Sequence, residues 1–224
     1  SAVPDPTSET GWSPLSGDQI GSLLGEFLAS RGMKGSLANS IVSSRLLSRI
    51  AHAHGLEHHT TLTGFKWIAR APGLGFGYEE AIGFCPDPAH VRDKDGIATS
   101  VVAASLVAAL KAQGRSVWDE LERLARLHGL HVSSPLTFRV DEIEQIASGM
   151  ARLRAQPPSV LAGSPVVEVS DLSQGYRGLP PTDGVLVLTE AGDRVIARPS
   201  GTEPKLKCYC EVILPTNDTP VAQV

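Results

Sequence analysis

Apolar residues recur at Ile20, Leu23, Leu24, Phe27 and Leu28, the i, i+3, i+4, i+7, i+8 spacing of one helix face. Asp18 ahead of the run supplies a cap and Gly32 a stop. A short apolar run at 37–42 predicts a strand. Ser43 or Ser44 then caps a second helix carrying Leu46, Leu47, Ile50 and Ala51 as far as Gly55, and His59–Leu62 returns to strand. Residues 96–110 are apolar almost all round, which predicts a helix capped by Asp95 and buried on every side. Ser116-Val-Trp-Asp119 forms a capping box ahead of Trp118, Leu121, Leu124 and Leu127, closed at Gly129. Residues 1–13, with Pro4, Pro6 and Gly11, read as loop. Helices alternating with strands predict an α/β layered domain.

From His131 the pattern changes. Residues 132–140 alternate loosely around Pro135 and read as a link between domains. Asp141 opens a helix bearing Ile143, Ile146, Ala147, Met150 and Leu153, which Pro157 and Pro158 end. Strands follow at 160–169, 184–189, 194–198 and 208–214, separated by turns rich in Gly and Pro. One helix followed by meandering antiparallel strands predicts a small α+β domain. The domains are therefore set at residues 1–132 and 133–224.

Charge and composition narrow the function classes. Twenty-four acidic against 20 basic residues give a net charge of −4, which argues against a general binder of nucleic acid or membrane surfaces. No apolar run approaches the ~20 residues needed to span a bilayer. Cys85 stands alone, while Cys208 and Cys210 share one face of a strand, so packing in a reducing cytoplasm is the expected setting. The seven histidines form no metal-ligand spacing: His52 and His54 diverge on a helix, and His58 and His59 point to opposite faces of a strand.

Candidate chemistry concentrates in a few turns. Arg198-Pro-Ser-Gly-Thr-Glu-Pro-Lys205-Leu-Lys207 lies between two apolar strands. Gly201 frees the backbone to turn its N–H groups into one concavity, Ser200 and Thr202 add hydroxyls, and Arg198, Lys205 and Lys207 add positive charge. A phosphate dianion uses all of these together. Thr63-Gly64-Phe65-Lys66 leads into a short helix, and Glu79 and Glu80 stand between Gly77 and Gly83. Carboxylates accept hydrogen bonds from sugar hydroxyls; an ordinary solvated pair is the alternative. Arg92 and Lys94 precede the helix capped by Asp95, whose N-terminus reinforces a positive site.

The Arg198–Lys207 stretch resembles the phosphate loop of the α-D-phosphohexomutases, the phosphoglucomutases and phosphomannomutases. Thr63-Gly64-Phe65-Lys66, Gly77-Tyr-Glu79-Glu80-Ala-Ile-Gly83 and Val91-Arg92-Asp93-Lys94-Asp95-Gly96 occur ahead of it in the order of that family's third domain. The wording is closest to the bacterial phosphomannomutase branch that shades into phosphopentomutases and glucose-1,6-bisphosphate synthases. The resemblance implies a three-layer α/β sugar-binding domain with a mixed sheet, then a small α+β domain with an antiparallel sheet like that of the TATA-box-binding protein. It implies sugar binding by Thr63, Gly64, Lys66 and Glu79, with Glu80 as the one-residue-shift alternative. Arg198, Ser200, Gly201, Thr202, Lys205 and Lys207 are implied to grip phosphate, beside the basic active-site residues Arg92 and Lys94. Ala81 stands where many relatives carry serine, so one hydroxyl contact is lost.

The family's phosphoserine loop and acidic magnesium loop have no counterpart in these 224 residues. The chain therefore reads as the C-terminal half of a cytoplasmic phosphosugar mutase, with no catalytic or metal residue of its own and inactive alone. Its expected partners are a phosphorylated sugar and the missing N-terminal half. Mg²⁺ and a sugar bisphosphate would serve the intact enzyme. The competing reading is a phosphosugar-binding module without chemistry.

Overall fold

The computed structural model describes residues 2–200 and 203–216. The chain divides into two compact units, one reaching Leu130 and taking in Pro215 and Thr216, the other spanning His131–Leu214.

In the first unit, β1 (Ala2–Pro4) and β2 (Trp12–Pro14) form an antiparallel ribbon where loop was expected. Asp5 explains the difference, because its carboxylate ties the turn by accepting from Thr7 N–H, Thr7 Oγ1 and Ser13 Oγ. Helix α1 (Gly17–Ser30) is capped by Ser16, in a capping box with Gln19, and not by Asp18. Asp18 lies inside the first turn, buried, where Oδ1 accepts from Tyr78 Oη at 2.9 Å and Ser44 N–H at 2.8 Å.

The unit continues through β3 (Ser36–Ser40), α2 (Leu46–Ala53), β4 (His58–Thr61), α3 (Phe65–Ile68), β5 (Leu74–Glu79), β6 (Gly83–Cys85), α4 (Gly96–Ala112) and α5 (Val117–His128). The sheet runs β4-β3-β5-β6, with β3 parallel to β4 and β5, and β6 antiparallel to β5. Leu37, Phe76, Tyr78 and Phe84 turn one face toward α1, α2, α4 and α5, while Ala38 and Cys85 turn the other toward Phe65 and Ile68 of α3. This is the expected mixed-sheet α/β arrangement.

Helix α4 departs from expectation. Thr99, Leu106 and Leu110 are buried, but Ile97 is 84% and Val101 63% exposed. Burial on all sides needs neighbours on all sides; α4 meets α1, β6 and α5 along one side of its circumference. Among the described residues no single helix is long and apolar enough to cross a membrane.

His58 Nε2 lies 3.0 Å from Asn39 Oδ1, and Asn39 Nδ2 donates to Ser44 O at 2.8 Å. Burial, then the neighbouring His59, pull His58 down to about 4, so the ring is neutral at pH 7 and donates to Asn39. The unfolded ring, near 6.5, takes up a proton that the folded ring refuses. Stability should therefore fall as pH drops from about 6.5 to about 4, by on the order of 2–3 kcal/mol from this group. Urea titrations at pH 7 and 4.5 should show that decrement in the parent and lack it in His58→Gln.

The second unit carries β7 (Leu130–Arg139), α6 (Ile143–Ala155), β8 (Val160–Leu161), β9 (Ser164–Asp171), β10 (Val185–Thr189), β11 (Arg194–Pro199) and β12 (Lys205–Leu214). Its sheet is ordered β7-β12-β11-β10-β9-β8 and is antiparallel from β12 to β8. Helix α6 lays Ile146 and Met150 on Val185, Val187 and Ala197. The stretch expected to be a link is the strand β7; its edge position is what tolerates Pro135.

Candidate functional site

Because β3, β4 and β5 are parallel, their C-terminal ends lie along one edge of the first sheet. Ser40–Ser44, Thr63–Lys66 and Glu79–Gly83 therefore share that edge, at the point where the chain passes from β4 on one side of β3 to β5 on the other. Open α/β sheets bind ligands at such a crevice.

Glu79 and Gly83 are directly opposed in the β5–β6 hairpin. Glu79 Oε1 accepts from Lys94 Nζ at 3.3 Å; the carboxylate side chain is 14% exposed and the lysine 54%. Glycine at 83 is what lets them meet, since a Cβ there would fall 2.7 Å from Lys94 Cδ and 2.8 Å from Glu79 Oε1. Glu80 has a different environment. Its Oε2 accepts from Ser40 Oγ at 3.0 Å and Ser43 Oγ at 2.9 Å, and its N–H donates to Ser43 Oγ at 3.3 Å. The Glu80 carbonyl presses on α1 so closely that a Cβ on Gly17 would lie 2.0 Å from the oxygen. Ile82 completes the turn at φ 63°, a left-handed conformation rare for a β-branched residue.

The basic loop is docked on the same hairpin. Asp95 N–H donates to Phe84 O, and Asp95 Oδ1 caps α4 through Ala98 N–H. Cys85 Sγ donates to Val91 O at 3.2 Å; burial first, then the Asp87, Asp95 and Asp93 charges, push its thiol up to about 11, so it stays protonated at neutral pH. Arg92 is exposed. Thr63 and Gly64 precede α3, and the exposed Lys66 lies with its ammonium 5.9 Å from the Trp67 ring centre.

In the second unit, Arg198 on β11 stands directly opposite Lys207 on β12, on the sheet face away from α6. Ser200 N–H closes the turn on Lys205 O at 2.8 Å. Gly201 and Thr202 lie outside the described residues. Lys205 Nζ donates to both oxygens of Glu203 at 2.7 Å. That hydrogen bond, with the charges of Lys205, Arg139 and Lys207, holds the Glu203 carboxyl below its ordinary range. Arg139 is a cation that the sequence reading missed. Its signal is positional: β7 ends beside the loop, where Val140 N–H donates to Pro204 O. Ser40 and Ser43 were missed as well, since Ser43 registered only as a helix cap.

The model of the Phosphoglucomutase/phosphomannomutase alpha/beta/alpha domain III matches residues 16–127, and that of the Phosphoglucomutase/phosphomannomutase C-terminal domain matches residues 137–213. A probable phosphomannomutase of Haemophilus influenzae is 41% identical over 212 residues, covering 94% of this chain and 43% of that protein. The phosphopentomutase of Mus musculus is 29% identical over 254 residues, 97% of this chain and 40% of its own length. In fold, the open form of the Paramecium phosphoglucomutase parafusin superposes with a TM-score of 0.70 at 19% identity, covering 93% of this chain and 39% of that one. The chain thus spans under half the length of the curated relatives it matches.

Proposed function

The chain belongs to the phosphoglucomutase/phosphomannomutase family, and from that premise we propose that these residues are the sugar- and phosphate-recognition half of a phosphosugar mutase. The intact protein interconverts a sugar 1-phosphate and 6-phosphate through a sugar bisphosphate. One observation carries the reading. Arg198 and Lys207 face each other across adjacent strands, an arrangement that costs stability unless an anion joins them. On the same face, Arg194 stands opposite Glu211 and is paired with it at 3.1 Å. Of two arginines four positions apart, one has its counter-ion in the fold and the other meets a like charge.

Arg198, Lys207 and the Ser200–Thr202 backbone and hydroxyls hold a phosphoryl group, the guanidinium with two parallel N–H donors. Lys205 contributes once the anion competes with Glu203 for its ammonium. Glu79 accepts from sugar hydroxyls, displacing Lys94, which then faces the ligand with Arg92; Thr63, Gly64 and Lys66 border the same strand ends. Catalysis in phosphoryl transfer is mostly positioning and charge stabilisation, and these residues supply both for the group that is not being transferred. Magnesium finds no fit among the described residues, where no group of three or more His, Cys, Asp or Glu side chains is placed to hold a metal ion. A cytoplasmic setting suits the reading.

Coupled assays of the intact protein with hexose and pentose phosphates test it. Turnover of at least one phosphosugar is expected, and none from the 224-residue chain alone. Turnover by this chain alone would overturn the division of labour. An intact protein that binds but never converts a phosphosugar would replace the mutase with a binding module.

A further inference from the structure

We propose that Glu80 is a positioning residue: its carboxylate fastens the β5–β6 turn to Ser40 and Ser43, so that Glu79 keeps its place beside Lys94. The proposal rests on the reading of Glu79 as the sugar's hydroxyl partner and changes what its neighbour does.

Both anchoring hydroxyls are buried, Ser40 at 2% and Ser43 at 1% exposure, and they lie 2.9 Å from each other. A carboxylate is an acceptor only, and two inward hydroxyls converge on one of its oxygens. The Glu80 N–H binds the same Ser43 oxygen, so side chain and backbone are held to one point. The serines belong to the end of β3 and the segment before α2, which Asn39 and Asp18 brace from below through Ser44 O and Ser44 N–H.

The turn needs such a fastener. Ile82 is held left-handed while 62% exposed, and a residue strained in this way persists only where the surroundings over-determine it. Glu80 supplies that constraint from the opposite side of the same turn. Without it, relaxation at residues 80–82 would move Glu79 from the Gly83 side of the hairpin, where the approach to Lys94 depends on close fit. Displacement of a contact group by about 1 Å is enough to cost on the order of 100-fold in an oriented reaction.

The test compares Glu80→Ala and Glu80→Gln with the parent chain. Glutamine keeps an oxygen acceptor and the same reach, and either serine hydroxyl can rotate to meet its amide. Hydrogen exchange at the 81–83 amides should accelerate in Glu80→Ala and stay near the parent rate in Glu80→Gln. Titration with glucose 1-phosphate should show a loss of about tenfold in the alanine variant and under about threefold in the glutamine variant, with inorganic phosphate affinity unchanged in both. Unaltered exchange in Glu80→Ala overturns the proposal. So does an equal loss of glucose 1-phosphate affinity in both variants with exchange unaltered, which would make Glu80 a direct sugar ligand. Loss of inorganic phosphate affinity as well would mean general unfolding and also overturns it. Should the parent chain bind phosphate but show no preference for the sugar ester, the reading of Glu79 fails, while the exchange rates still decide whether Glu80 fastens the turn.

Discussion

Arg198→Ala should lower the affinity of this chain for a sugar phosphate by about 10- to 100-fold, the equivalent of one or two charge-assisted hydrogen bonds. The unliganded variant should be no less stable than the parent, because removing Arg198 also removes its repulsion of Lys207 across the β11–β12 pair. A ligand that binds only the folded state raises the melting temperature by mass action. Inorganic phosphate should therefore stabilise the parent and leave Arg198→Ala almost unmoved. Arg198→Lys should fall between them, keeping the charge without the planar fork. Arg194→Ala is the internal control: it strands the buried Glu211, already shared with His131 at 3.2 Å, and should lower stability without a ligand-specific effect. Isothermal titration and melting curves with and without phosphate measure all four proteins. Equal phosphate affinity in parent and Arg198→Ala would remove the anion site from this loop.

What the sequence disclosed, and what it concealed, follows from how far each feature reaches along the chain. The face of α1 is a local periodicity, and the observed helix buries Ile20, Leu23 and Leu24 as that spacing requires. The cap lies two residues before the one the spacing predicts, because Ser16 and Asp18 are both good cap types and only the extended backbone at Ser16 decides between them. The apolar composition of helix α4 predicts burial all round, yet composition says nothing about which sides of a helix have neighbours. Gly77 and Gly83 around the two glutamates predict a turn, whereas most of that stretch is the strand pair β5–β6, in which glycine admits close approach. Among candidate site residues, Glu79 and Lys94 are 15 positions apart and were linked only by resemblance. The serines that hold Glu80 lie 40 and 37 positions away, beyond any local pattern. Lys205 was legible as a cation, but its capture by Glu203 two residues earlier was not.

The largest loss of stability is expected from Arg123→Ala, at a place no motif marks. Arg123 Nη2 binds Glu26 Oε1 and, at 2.7 Å, Glu120 Oε1, and its Nε reaches both Glu120 oxygens at 3.1 Å. Glu26 is 7% and Glu120 6% exposed, so alanine leaves two carboxylates in the interior without their shared cation. Glu120 retains Arg115 and Glu26 retains His54, and Arg123 itself is 36% exposed. The cost is therefore set at about 3 kcal/mol, at the low end for breaking a buried pair. Burial alone would raise the Glu120 carboxyl; hydrogen bonds and charge from Arg123, then Arg115, outweigh it and hold the carboxyl below its ordinary value. A depressed carboxyl contributes stability above the unfolded pKa, near 4.5, and loses it as pH falls through the folded value. The deficit of Arg123→Ala should thus be full at pH 7 and shrink in acid. Combining Arg123→Met with Glu26→Gln and Glu120→Gln should recover part of the loss, because it removes the stranded charges as well as their partner. Urea melts at pH 7 and pH 4 on the parent, Arg123→Ala and the combined variant measure this; a deficit independent of pH would mean that Arg123 acts through the packing of its stem and not through its charge.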